Sequence, residues 1–178
     1  MAKLSSSRIQ RVFERSDLAE TTLEQGQALE DLVCYIFERV PGIEVAKRNV
    51  LNTFRTEEID VAFWNSRQRN GLYFLPNIVL VECKNWSQPI GSQEVGYFVQ
   101  RLQNRGRDHG ILVAANGITG SAEDRDRAHY EIAMALGRGF HVLVLTRAEI
   151  ETLTDTSQLV RLLKEKLCEL AVSGTVFV

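Results

Sequence analysis

Ile78, Val79, Leu80 and Val81 are aliphatic at four successive positions, and the next three residues are Glu82, Cys83 and Lys84. A strand with one wet face alternates apolar and polar side chains. An unbroken aliphatic run instead predicts a strand buried on both faces, in the interior of a sheet with layers packed on either side. Successive strand side chains point to opposite faces, so Glu82 and Lys84 project together while Cys83 faces the other way. A carboxylate and an ammonium are thereby fixed side by side at the end of a buried strand.

The pattern around this strand predicts its neighbours. Thr21-Thr22-Leu23-Glu24 has the spacing of a capping box. The stripe Leu29, Leu32, Val33, Ile36, Phe37 and Val40 then reads as an amphipathic helix ended by Pro41-Gly42. A shorter helix over Ser7 to Ser16 precedes it as an arm suited to packing on a partner. Ile43 to Val50, Ile59 to Trp64 and Ile78 to Cys83 read as strands, the last two joined by the polar tip Asn65 to Gly71. Helices are predicted over Ser92 to Arg105, Ser121 to Arg138 and Ser157 to Val172, and strands over Gly110 to Ala115 and Val142 to Leu145. The order α, β, β, β, α, β, α, β, α begins with antiparallel strands and continues with crossover helices. It predicts an α/β fold of the mixed-sheet α+β kind, with helices on both faces.

With 178 residues, 44% of them hydrophobic, the chain has the material for one domain over 1–178 that closes its core without staples. We expect a helical arm over 1–20, a core over 21–150 and a C-terminal helix over 151–178. Three cysteines, Cys34, Cys83 and Cys168, are odd in number and widely spaced, as free thiols in a reducing cytoplasm would be. No run of ~18 apolar residues and no signal-like opening occurs, so a cytoplasmic protein without a membrane partner is expected. The formal charge of −2 neither announces nor forbids a polyanionic partner.

Asp60 lies in the strand-like run Glu57 to Phe63, whose hairpin partner carries Glu82. Two carboxylates converging from adjacent strands raise one another's pKa unless a cation sits between them. Mg2+ suits such a pair, because it takes oxygen ligands, keeps several waters, and could add the main-chain carbonyl of Cys83 to Asp60 and Glu82. A water made acidic there and facing Lys84 is a nucleophile for a phosphodiester. An isolated E-x-K triplet is an ordinary surface ion pair; the aliphatic run in front of it and Asp60 beside it change its meaning.

Asp60 followed by Glu82-Cys83-Lys84, within an α-β-β-β-α-β order, resembles the PD-(D/E)XK nuclease superfamily, most closely its Mrr-like restriction endonuclease branch. The resemblance covers about residues 22 to 150. It implies a restriction-endonuclease-like three-layer α/β/α core with added β and α elements. It also implies metal binding by Asp60 and Glu82, and water activation by Lys84. The glutamate that family members carry in the first core helix after a glycine corresponds to Glu30, following Gly26, and would be an accessory metal ligand. The glutamine at the start of the helix after the triplet corresponds to Gln93. Where the superfamily has proline before its first acid, this chain has Ile59. The activity so implied is Mg2+-dependent endonucleolytic cleavage of DNA, with Mn2+ able to substitute, in restriction or anti-phage defence. A Holliday-junction resolvase, a single-strand or RNA nuclease, and a non-cleaving nucleic-acid-binding subunit remain open on the same core.

Arg67 and Arg69 in the hairpin tip, and Arg101 and Arg105 after the triplet, are the basic groups available for phosphate contacts. Met1 to Arg15 carries Lys3, Arg8, Arg11 and Arg15 against Glu14 alone. His109, His129 and His141 share no metal-ligand spacing, and no phosphate-loop or dinucleotide fingerprint occurs. A core that fills the chain leaves target choice to itself, to a homodimer or to a partner protein.

Overall fold

A capping box opens the main helix as the sequence requires: the Thr21 hydroxyl accepts from the Glu24 N–H and the Glu24 carboxylate reaches back to the Thr21 N–H. In the computed structural model, which describes residues 1–52, 57–121 and 127–176, this helix is α2 (Thr22–Phe37). It is preceded by α1 (Ser6–Asp17) and followed by β1 (Ile43–Leu51), β2 (Glu58–Asn65), β3 (Ile78–Lys84), α3 (Ser92–Asn104) and β4 (His109–Ala114). The chain closes with α4 (Arg127–Gly137), β5 (His141–Leu145), α5 (Arg147–Glu151) and α6 (Thr156–Ser173). The first part of the helix expected from Ser121, residues 122–126, lies outside the described residues. The five-residue α5 was not expected; its capping box, Thr146 with Glu149, is present in the sequence, but five residues are too few to show an apolar stripe.

The five strands form one mixed sheet in chain order, β1-β2-β3-β4-β5. β1 and β2 run antiparallel to their neighbours up to β3, and β3, β4 and β5 are parallel. The strand read as doubly covered is so: Val79 through Cys83 are buried. Its odd-numbered side chains share a face with Val61 and Phe63 and meet α2, where Phe63 stacks on Phe37 with ring centroids 5.1 Å apart. Its even-numbered side chains, Leu80, Glu82 and Lys84, lie beside Gly110, Leu112 and Ala114 on the face covered by α3. Gly110 lets that helix approach: a Cβ there would lie 2.6 Å from Phe98 Cζ and 2.9 Å from Leu102 Cδ2.

Two local features could not be read from composition. A bulge at Ala46 shifts the β1–β2 register, pairing Lys47 with Ala62 and Arg48 with Val61. The two bases therefore leave on opposite faces, Lys47 toward the α3 side and Arg48 toward α2. The connection from β2 to β3 is only half a polar tip. Leu72 and Leu75 are buried, and Asn65 Nδ2 donates to the carbonyls of Leu72, Leu75 and Pro76. Gly71 sits so close to Pro41 that a Cβ would come within 2.2 Å of the Pro41 carbonyl oxygen. The helix read as an arm lies against α2 and α5 of the same chain, with Ile9 and Phe13 buried. Among the described residues no helix is long and apolar enough to cross a membrane.

Candidate active site

The β2–β3 ladder runs from Trp64↔Ile78 to Val61↔Val81 and stops there. The next residues, Asp60 and Glu82, belong to the same face, at the point where the strands part. Asp60 replaces the missing ladder bond with its side chain, Oδ2 accepting from the Cys83 N–H at 2.6 Å. Backbone geometry thus fixes one carboxylate at the end of the central strand, and the strand's own alternation fixes the second.

Glu82 is 1% exposed. Its Oε1 pairs with Lys84 Nζ at 2.8 Å and also with Nη1 of Arg101, which reaches it from α3. Its Oε2 is buried and has no hydrogen-bond partner among the described residues. Burial, and next the charge of Glu82, push the Asp60 carboxyl up from 3.8 to about 7, against the opposing pull of the Cys83 N–H and Lys84. The Cys83 thiol turns to the α2 side, and burial holds it well above the ordinary thiol range, so it is an inert neighbour; it is the main chain of Cys83 that touches the site. Lys84 Nζ lies 5.9 Å from the ring centroid of Trp86, which is 46% exposed. That is an open aromatic face beside the site.

Of the remaining residues singled out from sequence, Glu30 is near enough for its charge to add to the raising of the Asp60 carboxyl, and the others fall in separate places. Glu30 projects from α2 and accepts from Arg48 Nη2 at 3.3 Å; Arg48 also pairs with Asp31 at 2.8 Å. Gln93, in the first turn of α3, donates from Nε2 to Tyr97 Oη at 2.6 Å. Arg105 pairs with Glu57 at 2.9 Å, which ties α3 to the start of β2. Arg67, at a positive φ of 54°, donates from Nε to the Tyr73 carbonyl. Arg67 and Arg69 belong to the connection at the Ile78 end of β3, so the length of that strand, roughly 20 Å at about 3.3 Å per residue, separates them from Lys84.

The structure therefore gathers Asp60, Glu82, Lys84 and Arg101. It does not bring Arg67 or Arg69 to them. Arg101, read from sequence as a phosphate contact, stands on the triplet glutamate. Its signal was its place between Phe98 and Leu102, two core positions of α3, which turns it to the edge of the buried stripe. Beside the four residues, on the same face, lies a cleft of about 690 Å³ lined by Lys47, Ala62, Leu80, Asn104 and Arg105 among others.

Among the described residues no group of three His, Cys, Asp or Glu side chains converges to enclose a metal ion. The donors present still fit a hard divalent cation that keeps most of its waters. Two carboxylates meet at one strand end, and Glu82 Oε2 is a buried acceptor lacking the partner such an atom normally has.

Over residues 23–144, from α2 to the penultimate residue of β5, the sequence matches the family model Mrr_cat, described as restriction endonuclease. No curated protein matches the chain.

Proposed function

We propose, from the premise that this chain belongs to the restriction endonuclease family, that it is a metal-dependent endonuclease that hydrolyses DNA phosphodiester bonds at Asp60, Glu82 and Lys84. The fold is restriction-endonuclease-like, and such enzymes generally use divalent metal ions. The observation that carries the reading is the unpartnered Oε2 of Glu82 beside the raised carboxyl of Asp60.

Asp60, Glu82 Oε2 and the main-chain carbonyl of Cys83 are the groups that would hold Mg2+ or Mn2+, with Glu30 able to join only by giving up Arg48. When bound, such an ion polarises phosphoryl oxygens and makes water acidic at neutral pH. The rest is the work of the chain. Lys84, anchored on Glu82 Oε1 at 2.8 Å, directs the attacking water and counters the charge that grows on the phosphoryl oxygens. Asp60 is a competent ligand once it has lost its proton, and because burial and Glu82 raise that carboxyl, proton and metal compete there and cleavage rises with pH. Lys47 supplies positive charge along the adjoining cleft, where Arg105 is held by Glu57, and the cleft has the place of a backbone-tracking groove. Gln93 is a polar contact at the helix start, and Trp86 is an open ring for a sugar or base.

Restriction or anti-phage defence is the role that fits such an activity. A double-strand cut needs two active sites, so a homodimer or a partner protein that supplies target recognition belongs to the proposal. The test is cleavage of supercoiled, linear, single-stranded, branched and methylated DNA, and of RNA, with Mg2+, with Mn2+ and with EDTA. Metal-dependent cuts in duplex DNA support the proposal. Cuts confined to branched DNA, single strands or RNA reassign the substrate to a resolvase or single-strand nuclease. No cleavage on any substrate leaves a binding subunit.

A further inference from the structure

Among the described residues, Glu82 carries two cations on one oxygen and none on the other. Lys84 shares its strand face and meets Oε1 at 2.8 Å, which by itself anchors the carboxylate, and Oε2 stays buried. Arg101 adds a second positive group to the same Oε1. Since orientation is already supplied, what Arg101 adds is charge. With Asp60 ionised, two acids and two bases balance, and the site is electrically complete with nothing bound; with Asp60 protonated it is already positive. A dication arriving at Oε2 must then enter a buried space beside two like charges, where screening is weak.

We propose that Arg101 is a built-in competitor for the cation at Glu82, which keeps divalent-ion affinity low in the protein alone. This rests on the reading of Asp60 and Glu82 as cation ligands. Arg101 is placed for the role: it springs from α3 and not from the strands that carry the acids, and its side chain is 23% exposed. Its guanidinium can therefore turn outward toward the cleft without unmaking the core around Phe98 and Leu102. In an enzyme that cuts DNA, such a competitor delays assembly of the metal site until an anionic backbone in the cleft gives the guanidinium another partner.

The sign of one measurement separates this role from a merely orienting one. Mn2+ is titrated into the full chain without nucleic acid, followed by calorimetry and by the electron spin resonance of free Mn2+. Wild type is compared with Arg101→Gln and Arg101→Lys. A competitor's loss tightens binding, so Arg101→Gln should bind Mn2+ at least about tenfold more tightly, the effect of one nearby unit charge after partial screening. Arg101→Lys, which keeps the charge, should stay within about twofold of wild type. Arg101→Met preserves the packing of the aliphatic stem and must show the same gain if the glutamine variant melts too early to titrate. Equal or weaker Mn2+ binding by the neutral variants overturns the proposal while leaving the ligand assignment intact. Absence of Mn2+ binding in every protein overturns the ligand assignment, and the proposal with it.

Discussion

Replacing Asp60 by asparagine should stabilise the metal-free protein at alkaline pH while removing its activity. In the unfolded chain the carboxyl ionises near 3.8; in the fold, burial and then Glu82 push it to about 7. Between those values the folded state keeps a proton that the unfolded state gives up. Stability therefore falls as pH rises through that window and levels off above 7. At about pH 8 the full cost is roughly 4 kcal/mol, taking about 1.4 kcal/mol per pKa unit. Asparagine does not ionise, and its Oδ1 still accepts the Cys83 N–H. The bond loses its charge assistance, about 1 kcal/mol, and an amide must be buried in its place. The net gain expected for Asp60→Asn at about pH 8 is thus about 1–3 kcal/mol, or roughly 2–12 °C in Tm for a domain of this size. Near pH 4.5 the gain should vanish or reverse. Urea melts of both proteins in EDTA from about pH 4.5 to 8.5 measure the difference. Parallel curves across that range, or an asparagine variant less stable than wild type at pH 8, would refute the placement of two crowded carboxylates at the end of the β2–β3 ladder.

Cleavage by wild type should rise about tenfold per pH unit below the Asp60 pKa and flatten above it, with the midpoint moving lower as metal concentration increases, because a cation favours the ionised carboxyl; a pH–rate series at two Mn2+ concentrations reads both effects. Gly71→Ala should cost about 1–3 kcal/mol in a thermal melt, since its Cβ meets the Pro41 carbonyl oxygen at 2.2 Å, yet leave cleavage at low temperature unchanged, because that connection lies at the far end of β3. Lys47→Gln should lower duplex affinity and reduce the slope of log affinity against log salt by about one, whereas Arg67→Gln with Arg69→Gln should change neither; fluorescence anisotropy in Ca2+ over a salt series decides between them.

The site's two strands were legible because burial and charge conflict there openly. Four aliphatics commit Ile78 to Val81 to the interior, and alternation then forces Glu82 and Lys84 onto one face whatever surrounds them. Asp60 was legible for a related reason, a carboxylate flanked by Ile59 and Val61. The placement of Arg67 and Arg69 was available too: in an antiparallel hairpin the connection stands at the opposite end from the first residue of one strand and the last of the next. Arg101 was legible only as a residue at the edge of the buried stripe of α3; its contact with Glu82 was not, because it depends on how α3 is rotated and slid along the sheet, and that is decided by Gly110 admitting Phe98 and Leu102. The phase of β1 was hidden for another reason. A bulge is a one-residue slip that leaves no compositional trace, and only its outcome, Arg48 beside Glu30 and Lys47 in the cleft, reveals it. Leu72 and Leu75, just beyond the polar tip, show no period that announces their burial, and the Asn65 side chain that holds their carbonyls lies seven and ten residues away.

Whether the strand-end residues Asp60, Glu82 and Lys84 hydrolyse phosphodiesters with a divalent ion is decided by one comparison. Duplex DNA is incubated with excess wild-type protein or Lys84→Ala in Mg2+, with folds matched by circular dichroism and melting. Wild type should show metal-dependent cleavage that EDTA abolishes, and Lys84→Ala a loss of at least about a hundredfold in rate with DNA affinity retained. Undiminished cleavage by Lys84→Ala, or cleavage that persists in EDTA, would contradict that assignment.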